Sequence, residues 1–587
     1  MRFFKKSQPA VNAEPKEVSP SDTPVGTTAR NSSVAYDGKP VTDMAPPPPV
    51  HLEEPEARTK ALILGGIASI GGFLFGYESG QISGFLQMTD FIARFGSNGF
   101  DAARQGTIVA LLCAGTLAGC LASGYVCDRI GRRLTISASA FFYIVGVVIE
   151  ITSGERGAST DWVQFAMGRF TAGLGIGALS TSVPMYQSES VPASVRGAIV
   201  ASYQLAITFG ILVAYIINYG TSQIQNSSAQ WRIPNGLSAL WAIVLGTLIL
   251  FMPESPRYAY RQGRIEEARR TMASLIKGGE PHGPYVDQQI REIQERQEAE
   301  EVGGDHPWYE IITIPNMRYR VFLGMALQAG QQLTGANFFF YYGTTIFRST
   351  GIENSFVTSI ILGAVNVLAT IVGIFFVVKM VGRRKALMWG AAVMCGCFFI
   401  YSFVGSFEID ADNPTNSKTG GGILIAFTCI FIAAFATTWG PLVWAITGEI
   451  YPARYRATCL AIATASNWLL NFLISFFTTF ITNKINYWYG LVFGVSTFVL
   501  FFIVYFFLPE TKDRSMEEID SMFILGVPAR KSVNWKLSDA GPEGLAGLNT
   551  DTMRYANGGK EIKKGDARGN LMVEDAARFP EAGSATV

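Results

Sequence analysis

The stretch QQLTGANFFFYYG at residues 331–343 sets three carboxamides, Gln331, Gln332 and Asn337, within seven residues, and follows them with Phe338, Phe339, Phe340, Tyr341 and Tyr342. An amide side chain both donates and accepts hydrogen bonds, as a polyol hydroxyl does. Further polar groups stand in apolar surroundings at Gln204, Asn366, Asn467 and Asn471, with Trp444 and Trp468 among them. A buried, unpaired group of this kind costs about 1–3 kcal/mol on mutational scales. One reading is that the amides tie helices together. The other is that they satisfy a neutral, polyhydroxylated ligand, with tryptophan lying flat against its C–H face. The number of amides and the tryptophans beside them favour the second. An anionic ligand would need unpaired Arg or Lys at the same depth, and only Arg169 is expected to be buried.

Arg169 lies in MGRFTAGLGIG (167–177), and Glu78, in GGFLFGYESGQISG (71–84), is the carboxylate expected to face it. A charge inside a membrane costs about 2.5–3.5 kcal/mol on insertion scales, so such residues tend to pair and to mark function. Two roles stay open. Burial raises the pKa of a carboxyl and a guanidinium lowers it, so making and breaking the pair would switch a proton on and off. Alternatively the pair is permanent and structural.

A third set is basic. Arg132 with Arg133, and Arg383 with Arg384, each follow a glycine in a short loop. Glu189 with Arg196, and Glu449 with Arg456, occupy a second pair of matching loops. The arginines are expected to pair with Glu189 and Glu449, and with Glu254 and Glu510, as a clasp that holds the cytoplasmic side closed. Surface pairs are weak singly, so only a network could bias such an equilibrium. The competing explanation is the ordinary excess of cations on cytoplasmic loops.

The elements that must position these residues are membrane helices. Of 587 residues, 49% are hydrophobic and 16% charged, where soluble domains run nearer a quarter charged. Twelve apolar stretches recur, at about 61–84, 104–126, 134–153, 162–184, 198–219, 235–252, 320–346, 356–379, 386–407, 421–447, 457–481 and 488–508. Each approaches or exceeds the ~20 residues that span a bilayer core. With both termini cytoplasmic, the short inside loops carry ten basic residues and the outside loops seven, which is the sense of the positive-inside rule. Asn226-Ser-Ser is a glycosylation sequon that this topology places outside.

The chain also repeats itself. DRIGRR returns as KMVGRR, SESVPASVRG as GEIYPARYRA and PESPR as PETK, at offsets of 251, 260 and 256 residues. Two halves of six helices follow, at 58–252 and 320–523. They are joined by a cytoplasmic loop at 253–319 with short amphipathic helices, and flanked by polar tails at 1–57 and 524–587 expected to be largely disordered. Two such halves suggest rocking about a midplane site.

Other classes are poorly supported. The net charge of +1 leaves no nucleic-acid footprint. The seven cysteines lack metal-ligand spacing, the three histidines fall in polar segments, and no nucleophile–base pair can be assembled, so neither an enzyme nor a metal site is expected. GLGIG follows no strand, which argues against a nucleotide-binding turn.

FGYESGQISG, DRIGRR, GRFTAGLGIG, VPMYQSESVPASVRG, PESPR, QQLTGAN, WGPLVW, GEIYPARYR and PETKDRSMEEID together resemble the sugar porters of the major facilitator superfamily over about 58–523. QISGFLQMTDF and the PETKDRSMEEID ending look most like fungal hexose transporters. The resemblance implies an all-α membrane protein of twelve helices in two pseudo-symmetric halves. It implies a monosaccharide site at Gln204, Gln331, Gln332, Asn337, Asn366, Trp444 and Asn467, with Trp468 and Asn471 lining the same cavity. Tyr341 and Tyr342 match an extracellular gate. The implied function is plasma-membrane transport of glucose and related hexoses by one chain, as proton symporter or facilitator, without cofactor. A transporter-like glucose sensor is the alternative. Three positions depart from the family: Glu78 stands where Asp or Asn is usual, Lys379 opens the second GRR loop in place of an acid, and Ala436 replaces a glutamate found in some members.

Overall fold

The computed structural model describes residues 56–536 apart from 97–100, 156–159, 226, 303–309, 314, 349–354, 378–379, 410–417, 453–454, 513 and 515. Asn226, Lys379 and the tails at 1–55 and 537–587 lie outside the described residues. Apart from one antiparallel bridge between Ala57 and Ile276, the described residues form helices and the turns that join them. In order these are α1 (Thr59–Phe85), α2 (Thr89–Phe95), α3 (Ala102–Ile130), α4 (Arg132–Ile151), α5 (Asp161–Ser190), α6 (Ala193–Ser222) and α7 (Ala229–Leu250). Then come α8 (Pro256–Arg261), α9 (Ile265–Leu275), α10 (Pro284–Val302) and α11 (Glu310–Thr313). The second half holds α12 (Pro315–Leu333), α13 (Ala336–Arg348), α14 (Ser355–Val372), α15 (Arg383–Phe407), α16 (Lys418–Thr437), α17 (Trp439–Glu449), α18 (Arg456–Ile485), α19 (Tyr489–Phe507) and α20 (Met516–Ile524).

Nine stretches among the described residues are long and apolar enough to cross a membrane, and one of them, Thr458–Phe507, contains both α18 and α19. The remaining two crossings are α5, which carries Asp161, Arg169 and Glu189, and the α12–α13 pair. That makes six crossings in each half. The expected seventh helix, unbroken over 320–346, is instead split at Thr334–Gly335, and the tenth is split at Thr438. Short loops force neighbouring helices to run antiparallel, so two faces can be named. The near face is where α1 begins and the far face is where it ends.

Burial is turned inside out relative to a soluble protein. Phe251, Trp389 and Phe407 stand exposed, whereas Glu78, Arg169, Gln187 and Asn235 are wholly buried. Large apolar side chains facing outward on helices of this length suit lipid.

Close backbone approach sets the packing of the first half. A Cβ on Gly76 of α1 would lie 1.9 Å from the carbonyl oxygen of Ile207 in α6, so only glycine permits the approach. Gly115 and Gly119 of α3 meet Phe170, Gly173 and Leu174 of α5 in the same manner. Small residues at such crossings let backbones touch.

One apolar cluster fills the second half and crosses into the first through residues near the far face, among them Ile82, Phe85, Ile108, Phe165, Tyr215 and Trp231. A second cluster lies within the first half and takes in Leu275 at the end of α9. On the near face α9 and α10 form a small core of their own. The chain entering α1 is clipped to the end of α9 by Arg58 N–H to the Leu275 carbonyl at 2.9 Å and by a Lys277–Glu56 ion pair at 2.9 Å. Residues 525–536 fold back beneath the second half, where the Ser532 hydroxyl accepts the Glu510 N–H at 2.8 Å and Arg514 donates to the Trp535 carbonyl at 2.8 Å.

Gly76→Val should lower the melting temperature of detergent-purified protein, by about 1–3 kcal/mol of overpacking or more. Gly66→Val, where an added Cβ meets nothing within 4 Å, should not. Equal melts would refute this account of the α1–α6 contact.

Candidate functional site

The two broken helices face each other. At the first break Gly335 has φ +84°, and a Cβ there would lie 2.7 Å from the Phe398 and Phe493 rings. An L side chain would meet both strain and collision. The Thr334 hydroxyl holds the end of α12 by donating to the Gln331 carbonyl at 2.6 Å. At the second break Thr438 has φ −127° and ψ −81°, and Trp439, Gly440 and Pro441 follow. Gln331 bridges the two, its Nε2 donating to the carbonyls of Trp439 at 2.9 Å and Gly440 at 3.0 Å.

Asn467 of α18 is the hub. Its Nδ2 donates to the side-chain oxygens of Gln328 at 2.9 Å and Gln331 at 2.8 Å, and to the Gln328 carbonyl at 3.0 Å. Its Oδ1 accepts from Gln332 Nε2 at 2.8 Å, and Gln332 Oε1 accepts from Asn337 Nδ2 at 2.5 Å. Asn471, one turn further, donates to the Tyr341 hydroxyl at 3.3 Å. Gln204 approaches from the first half: a Cβ on Gly440 would lie 3.9 Å from its Nε2.

The expected residues therefore fall into two groups. Gln331 and Asn467 use their donors and acceptors on protein partners. Gln204, Asn366 and Trp444 make no side-chain hydrogen bond among the described residues, and the buried Trp468 Nε1 has no partner either. Trp468 packs edge-on to Phe75 of α1, the ring centres 5.3 Å apart. No bond joins Asn366 or Trp444 to the Asn467 hub.

Bonds between the halves gather toward the far face. Ser83 meets Thr344 at 2.8 Å, Gln87 donates to Thr345 at 2.8 Å, Tyr215 to the Phe340 carbonyl at 3.2 Å and Thr479 to the Ala102 carbonyl at 3.0 Å. Tyr341 and Tyr342 lie within this contact, Tyr341 beside Cys113 at 4.0 Å and Tyr342 donating to the Ser475 carbonyl at 2.7 Å.

On the near face the clasp is only partly the expected one. Arg132 pairs with Glu189 at 3.0 Å and Arg383 with Glu449 at 3.3 Å, each pair within one half. The second pair forms despite the basic Lys379 at the head of its loop. Among the described residues, Arg133 and Arg384 do not pair with carboxylates. Arg133 donates to the Met252 carbonyl at 3.2 Å and Arg384 to the Tyr505 carbonyl at 2.7 Å. Glu254 and Glu510 accept backbone N–H groups of Arg132 and Arg383 at 3.0 and 2.8 Å instead. A carboxylate at a helix start finds N–H groups that have no intrahelical partner. Arg196 and Arg456 donate to the Val191 and Tyr451 carbonyls.

Glu78 and Arg169 meet at 2.8 Å and both are wholly buried. Sequence reasoning missed Glu150, a second fully buried acid in the apolar run VVIEI, and it missed Gln328. It also counted Arg169 as the single buried arginine, yet Arg320 is 1% exposed and pairs with Asp520 at 2.5 Å. The signal for Arg320 was weak because it sits at the very start of a crossing, where a cation is ordinary.

Twelve crossings in two halves, with a polar hub between broken helices, define a transporter of the major facilitator type. The solved proton:xylose symporter XylE, bound to 6-bromo-6-deoxy-D-glucose, superposes with a TM-score of 0.67 at 24% identity, covering 79% of this chain and 99% of that one. Residues 64–523 match the family described as sugar (and other) transporter, and the chain belongs to that family. Hexose transporter 2 of Kluyveromyces lactis is 40% identical over 500 residues, 83% of this chain and 86% of its own length. A low-affinity glucose transporter of the same yeast is 41% identical over 480 residues, 80% and 83% of the two chains.

Asn467→Ala should strand Gln332 Nε2 and two glutamine side-chain oxygens, each costing about 1–3 kcal/mol. Asn366→Ala removes a side chain with no hydrogen-bond partner among the described residues and should cost less. Thermal melts of the two purified variants decide, and a larger loss for Asn366→Ala would contradict the hub.

Proposed function

We propose that the protein carries a monosaccharide, glucose and related hexoses foremost, across the plasma membrane by alternating access. The near face with both termini is cytoplasmic, and one chain is the working unit. The observation that carries the proposal is the Asn467 hub, a set of carboxamides held between two broken helices. A neutral sugar needs donors and acceptors without net charge, and the hub and its neighbours offer both. The names of the two yeast relatives support hexose and glucose. They also weigh against the glucose-sensor reading.

Within this reading the amides divide their labour. Gln331, Gln332 and Asn467 hold the breaks in shape. Gln204, Asn366, Asn337 Oδ1 and Trp468, which have capacity to spare, make the sugar contacts, with Trp444 and Asn471 at the margins. The Ser83–Thr344 contact and Tyr341 with Tyr342 are the extracellular gate, and the Arg132–Glu189 and Arg383–Glu449 pairs belong to the cytoplasmic clasp. Transport is either facilitated or driven by protons through Glu78 and Arg169.

Radiolabelled glucose uptake in cells lacking their own hexose transport tests the reading. Wild type should restore saturable uptake, and Asn366→Ala should raise the half-saturation concentration about tenfold, equivalent to ~1.4 kcal/mol. No uptake from protein that reaches the surface would overturn the proposal. The gate has its own test. Ser83→Cys with Thr344→Cys should form a reversible cross-link that stops uptake until reductant is added. Undiminished uptake by the cross-linked protein would remove Ser83 and Thr344 from the moving contact.

A further inference from the structure

Beside the Glu78–Arg169 pair lies an arrangement the transport reading does not use. Glu78 receives three donors: Arg169 Nη1 at 2.8 Å, the Tyr143 hydroxyl at 2.6 Å and Gln81 Nε2 at 2.7 Å. That surrounding suits a carboxylate anion. Glu150, the penultimate residue of α4, is also wholly buried, but it receives only Asn235 Nδ2, at 2.9 Å on Oε2. No ion pair to Glu150 exists among the described residues. It lies against α5 at the residue before Arg169, since a Cβ on Gly168 would be 2.6 Å from Glu150 Cγ.

Two facts then bear on its charge. First, the buried cluster holds two carboxyl groups and one guanidinium. Ionising both acids would leave an uncompensated anion out of water, a cost of several kcal/mol. Second, both members of the Glu150–Asn235 pair carry a buried acceptor with no partner, Glu150 Oε1 and Asn235 Oδ1. Two acceptors cannot satisfy one another, and exchanging the ends of the Asn235 amide would only set oxygen against oxygen. A proton on Glu150 turns an acceptor into a donor.

We propose that Glu150 is a second proton-binding carboxyl of this transporter, holding one proton between the far face and the Glu78–Arg169 pair. The proposal rests on the transporter reading but not on the identity of the sugar. Polar groups continue outward from the end of α4 that carries Glu150: its backbone carbonyl accepts from the Ser153 hydroxyl at 2.6 Å, the Ser153 carbonyl accepts from Arg232 at 3.0 Å, and Arg232 pairs with the exposed Glu155 at 3.4 Å. Among the described residues, the charged and titratable groups acting on Glu150 are Glu78 from α1, Tyr143 from α4 and Arg169 from α5, while α7 presents Asn235 and, further out, Arg232. The Arg169 Nε and Nη2 are buried and unpartnered. When the proton leaves Glu150 for water on the far side, those two N–H groups are the donors at hand for the new anion. Arg169 is then shared between two carboxylates, which weakens its hold on Glu78.

Infrared spectroscopy of the purified protein in lipid nanodiscs tests the assignment, at neutral pH, where exposed carboxyls are already ionised. Wild type should show the C=O band of a neutral carboxylic acid, Glu150→Gln should lose it, and Glu78→Gln should keep it. A wild type without the band, or a band indifferent to Glu150→Gln, overturns the proposal. Should Glu150→Gln fail to fold, Glu150→Asp must move the band. In proteoliposomes, uptake by wild type should change with outside pH and uptake by Glu150→Gln should change less; an equal response to pH in both overturns the outward-facing role. The infrared result stands even if no sugar moves, so a failure of the sugar reading and a failure of this one are separable.

Discussion

A bilayer offers no water to an unpaired peptide group, and that constraint organises the whole molecule. It restricts crossings built from a single chain to helices or closed barrels, and it allows a helix to break only where protein supplies the lost partners. Both breaks, at Thr334–Gly335 and at Thr438, are met in this way. The Thr334 hydroxyl closes on the Gln331 carbonyl, and the Gln331 amide crosses to the carbonyls of Trp439 and Gly440. The amides therefore make irregular backbone tolerable at membrane depth. The same groups are the ones a polar ligand would use, so supporting the breaks and offering a binding surface fall to a single set of side chains.

Packing then decides how the two halves meet. Within the first half, helices touch at glycine and behave as rigid pairs, as α1 does with α6 and α3 with α5. Between the halves the contacts are hydroxyls and amides collected toward the far face, with the Phe75 and Trp468 rings meeting at mid-depth. Neutral hydrogen bonds are individually modest, about 0.5–1.5 kcal/mol net. Rigid bodies joined by several modest contacts at one end suit a pair of states close in free energy. Large buried ion pairs across the same boundary would favour one state too strongly.

Much of this was legible in the sequence, for reasons that particular residues make plain. Runs such as FGVSTFVLFFIVYFFL have no polar face, so nothing but a crossing suits them. The offset between the two GRR loops exposes the halves. The breaks were not legible because QQLTGAN and TTWGPLVW are embedded in longer apolar stretches that read straight through; a lone glycine in a membrane helix is tolerated and marks no boundary. The clasp was half legible. A glycine-arginine-arginine loop beside glutamates suggests four ion pairs, but a carboxylate at a helix start is drawn to free backbone N–H groups first. Glu254 and Glu510 went there, and Arg133 and Arg384 were left to carbonyls. Glu150 was hidden by its position near the end of a predicted crossing, where an acid reads as a boundary residue. Its burial, its bond from Asn235 and its packing against Gly168 show that it points inward.

The two halves, alike in topology, differ in what they bury at depth. The first encloses ionisable groups: Glu78, Glu150, Arg169 and Tyr143. The second gathers amides around Asn467, while its buried arginines, Arg320 and Arg384, sit at the near ends of their helices. A proton binds as a charge and needs a site where ionic state changes the energy. A sugar is neutral and needs a site whose energy is indifferent to charge. Putting both requirements in one half would expose the amide site to the field of a titrating group about a helix diameter away, at low effective dielectric. On the proposed reading, keeping most of the amide site across the boundary, with Gln204 alone contributed by the first half, lessens that. The motion of one half against the other would then, on the same reading, be the means by which a charge state in the first bears on an occupied amide site in the second.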